Sequence, residues 1–203
     1  MGQHKYKVIG ICGEAGSGKD TFARALVQAF NKQGLAARPV VSYTTRPKRD
    51  YEVADLDYHY IELDDLRTLI LENKILECAE FNNWFYATGI DDLKFNMLNI
   101  AVLNPEGLES LSIDNRINLA VVRCYCNDKE RLIRQLNREE EPDIDEIIRR
   151  YKADKRDFNN LSAWTFTNNG QYYAILTDCG KTPDQQASTI VEYMRPWAEK
   201  DNE

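Results

Sequence analysis

The sequence predicts an α/β protein in which helices cover both faces of a parallel sheet, giving three layers. Strand-like and helix-like segments alternate along most of the 203 residues, which is typical of such folds. A glycine-rich loop separates the first apolar strand from the first amphipathic helix. Residues 43–62 interrupt the alternation because they are polar and rich in Arg and Tyr, so we expect an insertion with a small sheet of its own there.

Apolar periodicity gives the order of the elements. Short apolar runs predict strands at 6–12, 38–42, 118–125 and 163–168. Apolar residues at helical spacing predict helices at 19–32, 63–73, 128–137, 144–158 and 184–198. The aromatic stretch 75–88 predicts short strands. We expect a single domain over 1–203, with a core formed by 1–42, 99–133 and 159–200, an insertion at 43–98 and a helical segment at 134–158.

Composition argues against several classes of protein. Apolar residues make up 43% of the chain, which is enough for a buried core and disfavours disorder. The formal net charge is −7, whereas a non-specific nucleic-acid binder normally carries a basic excess, so we expect no nucleic-acid partner. No apolar run approaches the roughly 20 residues of a membrane helix. The first strand begins too early to leave room for a signal peptide, so we expect no membrane association.

The cysteines show no metal or redox motif. The chain has five of them without C-x-x-C spacing, and three lie in strand-like apolar runs. Buried free thiols in a reducing compartment explain this pattern best, so we expect a cytoplasmic protein. Only His4 and His59 are available as imidazole ligands, so we expect no zinc site. The cysteines are Cys12, Cys78, Cys124, Cys126 and Cys179.

The glycine-rich loop carries a phosphate-binding motif. Residues 13–21, GEAGSGKDT, follow the P-loop pattern G-x-x-x-x-G-K-[ST] at every fixed position except the last, where Asp20 stands. Glycines let backbone N–H groups converge on phosphate oxygens, and the helix N-terminus favours anions. Lys19 would add a mobile positive charge. The sequence therefore predicts ATP binding by Gly13, Gly16, Ser17, Gly18, Lys19, Asp20 and Thr21.

Asp20 is an unusual residue at a position where Ser or Thr normally binds Mg²⁺. A carboxylate is a hard oxygen ligand that suits this ion, so we expect Asp20 to bind Mg²⁺ directly or through a water. Thr21 is an alternative hydroxyl ligand, one step round the helix. In another interpretation, Asp20 only favours the helix N-terminus electrostatically.

A second polar cluster follows the second strand. The carboxyl ends of parallel strands border the ligand crevice in open α/β folds, and Ser42–Arg49 comes directly after such a strand. Arg46 and Arg49 can hold a second phosphate group bidentately. A partly buried carboxylate such as Glu77 can accept two hydrogen bonds from adjacent N–H donors on a base edge, as in guanine.

These residues resemble the guanylate kinase family, the P-loop nucleoside-monophosphate kinases. The segment from Ser42 to Tyr60 follows that family's acceptor-site signature, and 75–88 follows its next segment. The resemblance extends from the P-loop to about residue 170. It implies that the acceptor monophosphate is held by Arg46, Arg49, Tyr58 and Tyr86. It also implies that guanine is contacted by Ser42, Glu77 and Thr88.

The resemblance further implies a mobile lid at 134–158. Arg138 and Arg149 would close over the triphosphate and stabilise charge on the transferred phosphoryl group. Arg134 would lie beside the donor nucleotide, and Asn168 falls where the family places an asparagine near the adenine. The implied architecture is a three-layer P-loop kinase core with a parallel sheet, an inserted acceptor-binding subdomain and a helical lid.

Two positions depart from the family pattern. An Asp-x-Asp strand end is usual, but here the segment contains Val102 and Asn104. The acid at Asp20 is a candidate replacement for the carboxylate lost near Mg²⁺. Asn104 leaves the base less defined, because an amide can pair with several bases.

The implied activity is phosphoryl transfer from ATP to GMP, dGMP or a related nucleoside monophosphate, with Mg²⁺ as cofactor. Two alternatives stay open, namely a kinase of a small phosphorylated sugar such as a ribose bisphosphate, and a non-catalytic guanylate-kinase-like binding module. The retained Ser42, Glu77 and Thr88 argue against the first, and Lys19 with the intact glycines argues against the second. We expect a monomer or a homodimer.

Overall fold

A computed structural model describes residues 5–50, 52–81, 83–138, 140–161, 173–177 and 181–200. The strand predicted at 163–168, Asn168 and Cys179 lie outside the described residues. Within them, no helix combines the length and the apolar character needed to cross a membrane.

The described chain forms strands and helices in alternation. The strands are β1 Tyr6–Cys12, β2 Ala37–Pro39, β3 Tyr43–Thr44, β4 His59–Tyr60, β5 Ile75–Phe81, β6 Trp84–Gly89, β7 Leu98–Val102, β8 Ile117–Tyr125 and β9 Tyr173–Thr177. The helices are α1 Lys19–Lys32, α2 Leu63–Leu71, α3 Pro105–Ile113, α4 Asp128–Leu136, α5 Ile144–Leu161 and α6 Pro183–Glu199, with a 3-10 turn at Ile90–Asp92.

The main sheet is parallel and has the order β2-β7-β1-β8-β9. Successive side chains of a strand point to opposite faces, so β1 contributes to two cores. Ile9 and Ile11 pack with α1 and α6 on one face, whereas Val8 and Cys12 pack with α3 and Phe158 of α5 on the other. The predicted three-layer α/β architecture is therefore confirmed.

The insertion forms a separate sheet with the order β4-β3-β6-β5. β3 pairs in parallel with β4, and the pairs β3–β6 and β5–β6 are antiparallel. α3 of the core packs against β5, so the insertion is joined to the core beside the end of β7. This contact brings polar residues of the insertion close to the edge where the main strands end.

Most predicted elements match the structure within a few residues, and the differences have local causes. The strand predicted at 38–42 ends at Pro39, since the Val41 amide donates to Asp92 Oδ2 at 2.7 Å rather than to a strand. The sequence reasoning assigned no element to β7 and α3. β7 lacks a continuous apolar pattern because it contains the polar residue Asn99. In the structure Asn99 is nevertheless fully buried, and its side-chain amide donates to the Lys7 carbonyl at 3.0 Å.

Candidate active site

The P-loop lies between β1 and α1, at the carboxyl edge of the parallel sheet. α1 begins at Lys19, and its N-cap Gly18 has φ of +86°. Gly16 has φ of +78°, and a Cβ there would come within 2.6 Å of the Arg131 carbonyl oxygen. A side chain at Gly16 would therefore force the loop away from α4. The loop glycines thus permit both the left-handed backbone and the close packing.

Lys19 and Asp20 project from the start of α1. The Lys19 ammonium lies 3.8 Å from Asp20 Oδ2, and the Asp20 side chain is 67% exposed. Burial raises the pKa of the Tyr58 hydroxyl, and the neighbouring Tyr86 and the charge of Asp20 raise it further. Asp20 therefore lies within electrostatic range of the predicted acceptor residues. The Ser17 hydroxyl is buried and makes no hydrogen bond to any residue that the structure describes.

A pocket of about 320 Å³ opens beside the loop. Ser17, Gly18 and Thr21 line it together with Arg134 of α4. The Arg134 guanidinium also donates to the Gly16 carbonyl at 3.4 Å and pairs with Glu130 at 3.5 Å. Tyr125 at the end of β8 and Lys181, Pro183 and Gln186 at the start of α6 complete the lining. The pocket is therefore continuous with the phosphate-binding loop.

Arg46 is held firmly in the insertion. Its guanidinium donates to Glu52 Oε1 at 2.7 Å, and the two side chains are 12% and 8% exposed. The guanidinium carbon lies 5.6 Å from the centre of the Tyr58 ring. Burial opposes the charge of Arg46, but hydrogen bonds with Glu52 and Tyr86 outweigh it and raise the pKa of the guanidinium. Glu52 and Tyr86 therefore hold the Arg46 guanidinium in place.

Glu52 organises this side of the site. Besides Arg46, its carboxylate accepts from the Arg49 amide at 2.9 Å and from the Tyr60 hydroxyl at 2.8 Å. The hydrogen bond from Arg46 is the main reason why the pKa of Glu52 falls to about 2. Tyr58 packs edge-on against Tyr60 and Tyr86, with ring centres 6.0 and 5.9 Å apart. The predicted phosphate ligands Arg46, Tyr58 and Tyr86 thus lie together, and Arg49 is tied to them through its backbone.

Glu77, Thr88 and Asn104 meet where the insertion contacts α3. The Thr88 hydroxyl donates to Glu77 Oε1 at 2.5 Å. A Cβ built on Gly107 would lie 3.0 Å from Asn104 Oδ1 and 3.1 Å from Glu77 Oε2, so both oxygens face this glycine. Burial raises the pKa of Glu77, and the hydrogen bonds from Thr88 offset this only in part. Ser42 lies one residue before β3, and its carbonyl accepts from the His59 amide at 2.9 Å.

Asn104 has a structural role as a helix cap, which the sequence analysis did not predict. It is the N-cap of α3, and its side-chain oxygen accepts from the Gly107 amide at 2.7 Å. Its oxygen therefore already accepts one hydrogen bond, and the NH₂ group of the amide remains available as a donor.

The lid arginines are oriented differently from Arg46. Arg138 is exposed just after α4. Arg149 of α5 donates to Glu146 Oε2 at 2.7 Å, and Arg150 donates to Glu146 Oε1 at 2.6 Å. Both guanidinium groups also lie over the ring of Phe81 in β5, at 4.7 and 5.0 Å. These contacts connect α5 to the insertion rather than to the P-loop.

The arrangement fits a magnesium ion that takes few ligands from the protein. Among the described residues, no group of three or more His, Cys, Asp or Glu side chains could hold a metal. Asp20 is an exposed carboxylate at the start of α1, beside Lys19, and Thr21 is an exposed hydroxyl next to it. Mg²⁺ bound with a nucleotide usually keeps waters and phosphate oxygens as most of its ligands.

The sequence model of the guanylate kinase family matches residues 5–169. The chain belongs to the guanylate kinase family. The guanylate kinase of Thermosynechococcus vestitus is 38% identical over 82 residues, which are 40% of this chain and 41% of that relative. The guanylate kinase of Mycoplasma genitalium is 23% identical over 189 residues, covering 91% of this chain and 75% of the relative.

A solved guanylate kinase structure shares the fold. The enzyme from Anaplasma phagocytophilum superposes with a TM-score of 0.65 at 16% identity, covering 98% of this chain and 88% of that one. The match to the family spans the P-loop, the insertion and α5. The match therefore includes both the P-loop and the insertion, which the sequence analysis singled out.

Several residues of this guanylate kinase family member were missed by the sequence reasoning. Glu14 is a buried residue of the P-loop, and Arg123 of β8 is partly buried beside it, with Arg123 Nη2 3.4 Å from Glu14 Oε1. Arg131 and Asp154 approach the same loop from α4 and α5. One signal was available, since Arg123 interrupts an otherwise apolar strand and a charge there requires a buried partner.

Proposed function

We propose that this protein is an ATP- and Mg²⁺-dependent nucleoside-monophosphate kinase that transfers the γ-phosphoryl group to GMP, dGMP or a related nucleoside monophosphate. One observation carries the proposal. The P-loop ends in Lys19 at the first turn of α1, and the insertion brings Arg46, Tyr58 and Tyr86 together in a second cluster. The loop would bind the donor phosphates and Arg46 the acceptor phosphate.

The donor side supplies charge neutralisation. Backbone amides of the P-loop and the Lys19 ammonium would bind the β- and γ-phosphates, with the nucleoside beside Arg134. When bound, Mg²⁺ would offset negative charge on these phosphates, and Asp20 is the side chain placed to hold it. Arg138 and Arg149 would reach the transferred group once the part of the lid that carries them closes over the loop. Phosphoryl transfer depends mostly on such placement and electrostatics.

The acceptor side supplies orientation. Arg46 and Arg49 would bind the acceptor phosphate, helped by the hydroxyls of Tyr58 and Tyr86. This phosphate is already an anionic nucleophile, so the reaction needs no general base. Because Glu52 fixes Arg46 before any substrate arrives, little ordering is required on binding.

The base would lie against Glu77. Its carboxylate can accept from the adjacent N–H donors of guanine, and Ser42 and Thr88 supply hydroxyls nearby. The Asn104 oxygen already accepts the α3 capping hydrogen bond, so this residue would offer the base its NH₂ donor and one remaining acceptor lone pair. GMP and dGMP are therefore the first candidates, and another nucleotide such as dTMP is the alternative.

The test is an ADP-release assay with ATP, Mg²⁺ and a panel of acceptors, namely GMP, dGMP, AMP, CMP, UMP, dTMP and ribose 1,5-bisphosphate. We expect turnover with GMP or dGMP. Turnover with a different nucleotide would support a nucleoside-monophosphate kinase but would change the assignment of the base. Turnover with the sugar phosphate alone would overturn the nucleotide acceptor. No turnover while ATP still binds would indicate a binding module.

Glu77→Gln tests the assignment of the base. The change replaces a double acceptor by a mixed group, and hydrogen bonds to charged groups contribute about 1.5–3 kcal/mol, so kcat/KM with guanine acceptors should fall about 10- to 100-fold. Other acceptors should lose much less. Glu80→Gln is the matched control, since Glu80 lies on the same strand and is exposed. An equal loss with all acceptors would remove Glu77 from base recognition.

A further inference from the structure

A fully buried arginine supports the P-loop from below. Arg131 of α4 is 0% exposed, and its Nε donates to the Ala15 carbonyl at 3.0 Å. Its other nitrogens donate to Asp128 Oδ1 and to Asp154 Oδ2, each at 3.1 Å. Burying an arginine requires counter-charges, and here they come from Asp128 of α4, Asp154 of α5 and Glu14 of the loop, whose Oε1 lies 3.8 Å from Arg131 Nη1. The guanidinium therefore joins α4, α5 and the P-loop in one network.

Asp154 makes the direct contact between α5 and the loop. Its Oδ2 accepts from the Ala15 amide at 2.7 Å, in addition to accepting from Arg131. The N–H of Ala15 is thus bonded to a carboxylate of α5, and its C=O is bonded to an arginine of α4. Both polar groups of a single loop residue are held by side chains outside the loop.

This anchoring lies where the loop has most freedom. Ala15 immediately precedes Gly16, whose φ is +78°, and Gly18 follows with φ of +86°. A glycine-rich segment has many alternative conformations, and only some direct successive N–H groups towards one phosphate. Fixing Ala15 restricts the loop before ATP arrives, which reduces the entropy lost on binding.

The electrostatic surroundings of Asp154 agree with this geometry. Burial raises the pKa of Asp154, while the Ala15 amide and the charges of Arg131 and Lys19 oppose that rise. Asp154 therefore lies within electrostatic range of the P-loop lysine as well. Phe158, one turn further along α5, lies under Arg123 at 5.3 Å from the ring centre, so a second residue of this helix packs beneath the loop.

We propose that Asp154 is a positioning residue for the donor nucleotide, which holds the P-loop in its phosphate-binding conformation by accepting the Ala15 amide and fixing Arg131 beneath it. The inference rests on the proposed function in one respect, namely that ATP binds to this loop. Asp154 would thus contribute to the affinity for ATP, although its side chain touches no substrate.

The experiment measures ATP and GMP binding to the full-length protein by isothermal titration calorimetry, together with both KM values. Asp154→Ala should raise the Kd and the KM for ATP about tenfold or more, because the Ala15 amide and Arg131 both lose a partner. The Kd and KM for GMP should change less than about twofold. Asp154→Asn keeps an oxygen for the Ala15 amide, so it should restore ATP affinity to within about threefold of wild type.

Asp157→Ala is the matched control, since Asp157 is an exposed aspartate on the same helix that pairs with Arg156. Its ATP and GMP affinities should equal those of the wild type. Thermal unfolding of every variant separates positioning from loss of fold, and Asp154→Asn provides the test if Asp154→Ala does not fold.

Equal losses of ATP and GMP affinity, or a lower unfolding temperature with unchanged ATP affinity, would overturn the positioning role and leave the proposed kinase intact. The same holds if Asp154→Asn shows no recovery relative to Asp154→Ala. If the wild type binds no ATP, both the inference and the proposed function fail, and that result is distinct from the others.

Discussion

Two arginines that the proposed reaction uses, Arg46 and Arg149, are held in opposite ways. The Arg46 side chain is 12% exposed and bonds to a carboxylate that is itself buried and bonded to Tyr60. The Arg149 side chain is 45% exposed and pairs with Glu146, three residues earlier on the same helix. Arg46 therefore points where an acceptor phosphate would bind before any ligand is present, whereas Arg149 must exchange its partner to reach the transferred group.

The difference separates the two sides of the proposed reaction. Acceptor orientation would be preorganised, because moving Arg46 would leave Glu52 buried without its main partner. Charge stabilisation by the lid would have to be assembled, because a partly exposed ion pair on a helix contributes little and is easily exchanged. Such assembly on substrate binding would also limit the hydrolysis of ATP by water.

Lys19→Ala should have the largest effect on turnover, against which the effects of the Arg46 and Arg149 regions can be compared. Removing the P-loop lysine takes away the charge nearest the transferred phosphate, so kcat should fall about 10³-fold or more with the fold intact. A coupled ADP-release assay measures it. Lys32→Ala, at the other end of α1, is the control and should keep wild-type turnover. Near-normal turnover of Lys19→Ala would refute the P-loop assignment.

Arg149→Ala tests the lid. If Arg149 acts only after exchanging Glu146 for the transferred group, kcat should fall about 100-fold while the KM for each substrate changes little. Arg156→Ala is the control, since Arg156 lies on the same helix and is 76% exposed. A rise in the KM for the acceptor with unchanged kcat would show that Arg149 belongs to the acceptor site instead.

Glu52→Gln tests preorganisation on the acceptor side. Arg46 would lose its charged partner and its fixed position, so kcat/KM for the acceptor should fall about 10- to 100-fold. The same change at Glu146 should alter kcat by less than about threefold, because that pair is exposed. Asp50→Asn, in the same loop as Glu52 and exposed, is the neutral control. Equal effects at Glu52 and Glu146 would remove the distinction between the two arginines.

The low pKa of Glu52 gives this pair a defined pH dependence. Its pKa is lowered from an ordinary 4.5 to about 2, mainly by Arg46. The stabilisation is therefore fully present above about pH 4.5 and is lost as the pH falls towards 2. In thermal unfolding, the wild type should exceed Glu52→Gln most at pH 7, and the gap should narrow below pH 4.5. A gap that widens in acid would contradict the assigned pairing.

Asn104→Ala should have the smallest effect. Loss of the α3 cap should reduce the free energy of unfolding by about 1 kcal/mol, as measured by urea denaturation. Asn104→Asp keeps a capping oxygen and should retain stability. If the base lies beside this residue, Asn104→Asp should change GMP affinity without changing stability. Asn104→Ala should change both GMP affinity and stability. Unchanged stability in Asn104→Ala would contradict the capping role.

The sequence carried a signal for some parts of the candidate site and none for others. The P-loop was recognisable because its backbone conformation depends on glycines at fixed spacing, and the acceptor residues because they fall within short continuous segments. Asp154 and Arg131 carried no such signal. They come from helices separated from Ala15 by more than a hundred residues, and only packing of these helices beneath the loop brings them to it.

The sequence by itself determined the α/β class, the P-loop motif and the insertion with its own sheet, and it predicted the residues of the proposed acceptor site. These features follow from local periodicity and from motifs in which neighbouring residues act together. Only the tertiary structure decided which carboxylate holds which arginine. Glu52 pairs with Arg46, Glu146 pairs with Arg149, and Asp154 accepts from the Ala15 amide of the P-loop. Burial and distance decide which groups pair, and both arise only when separate segments of the chain pack together.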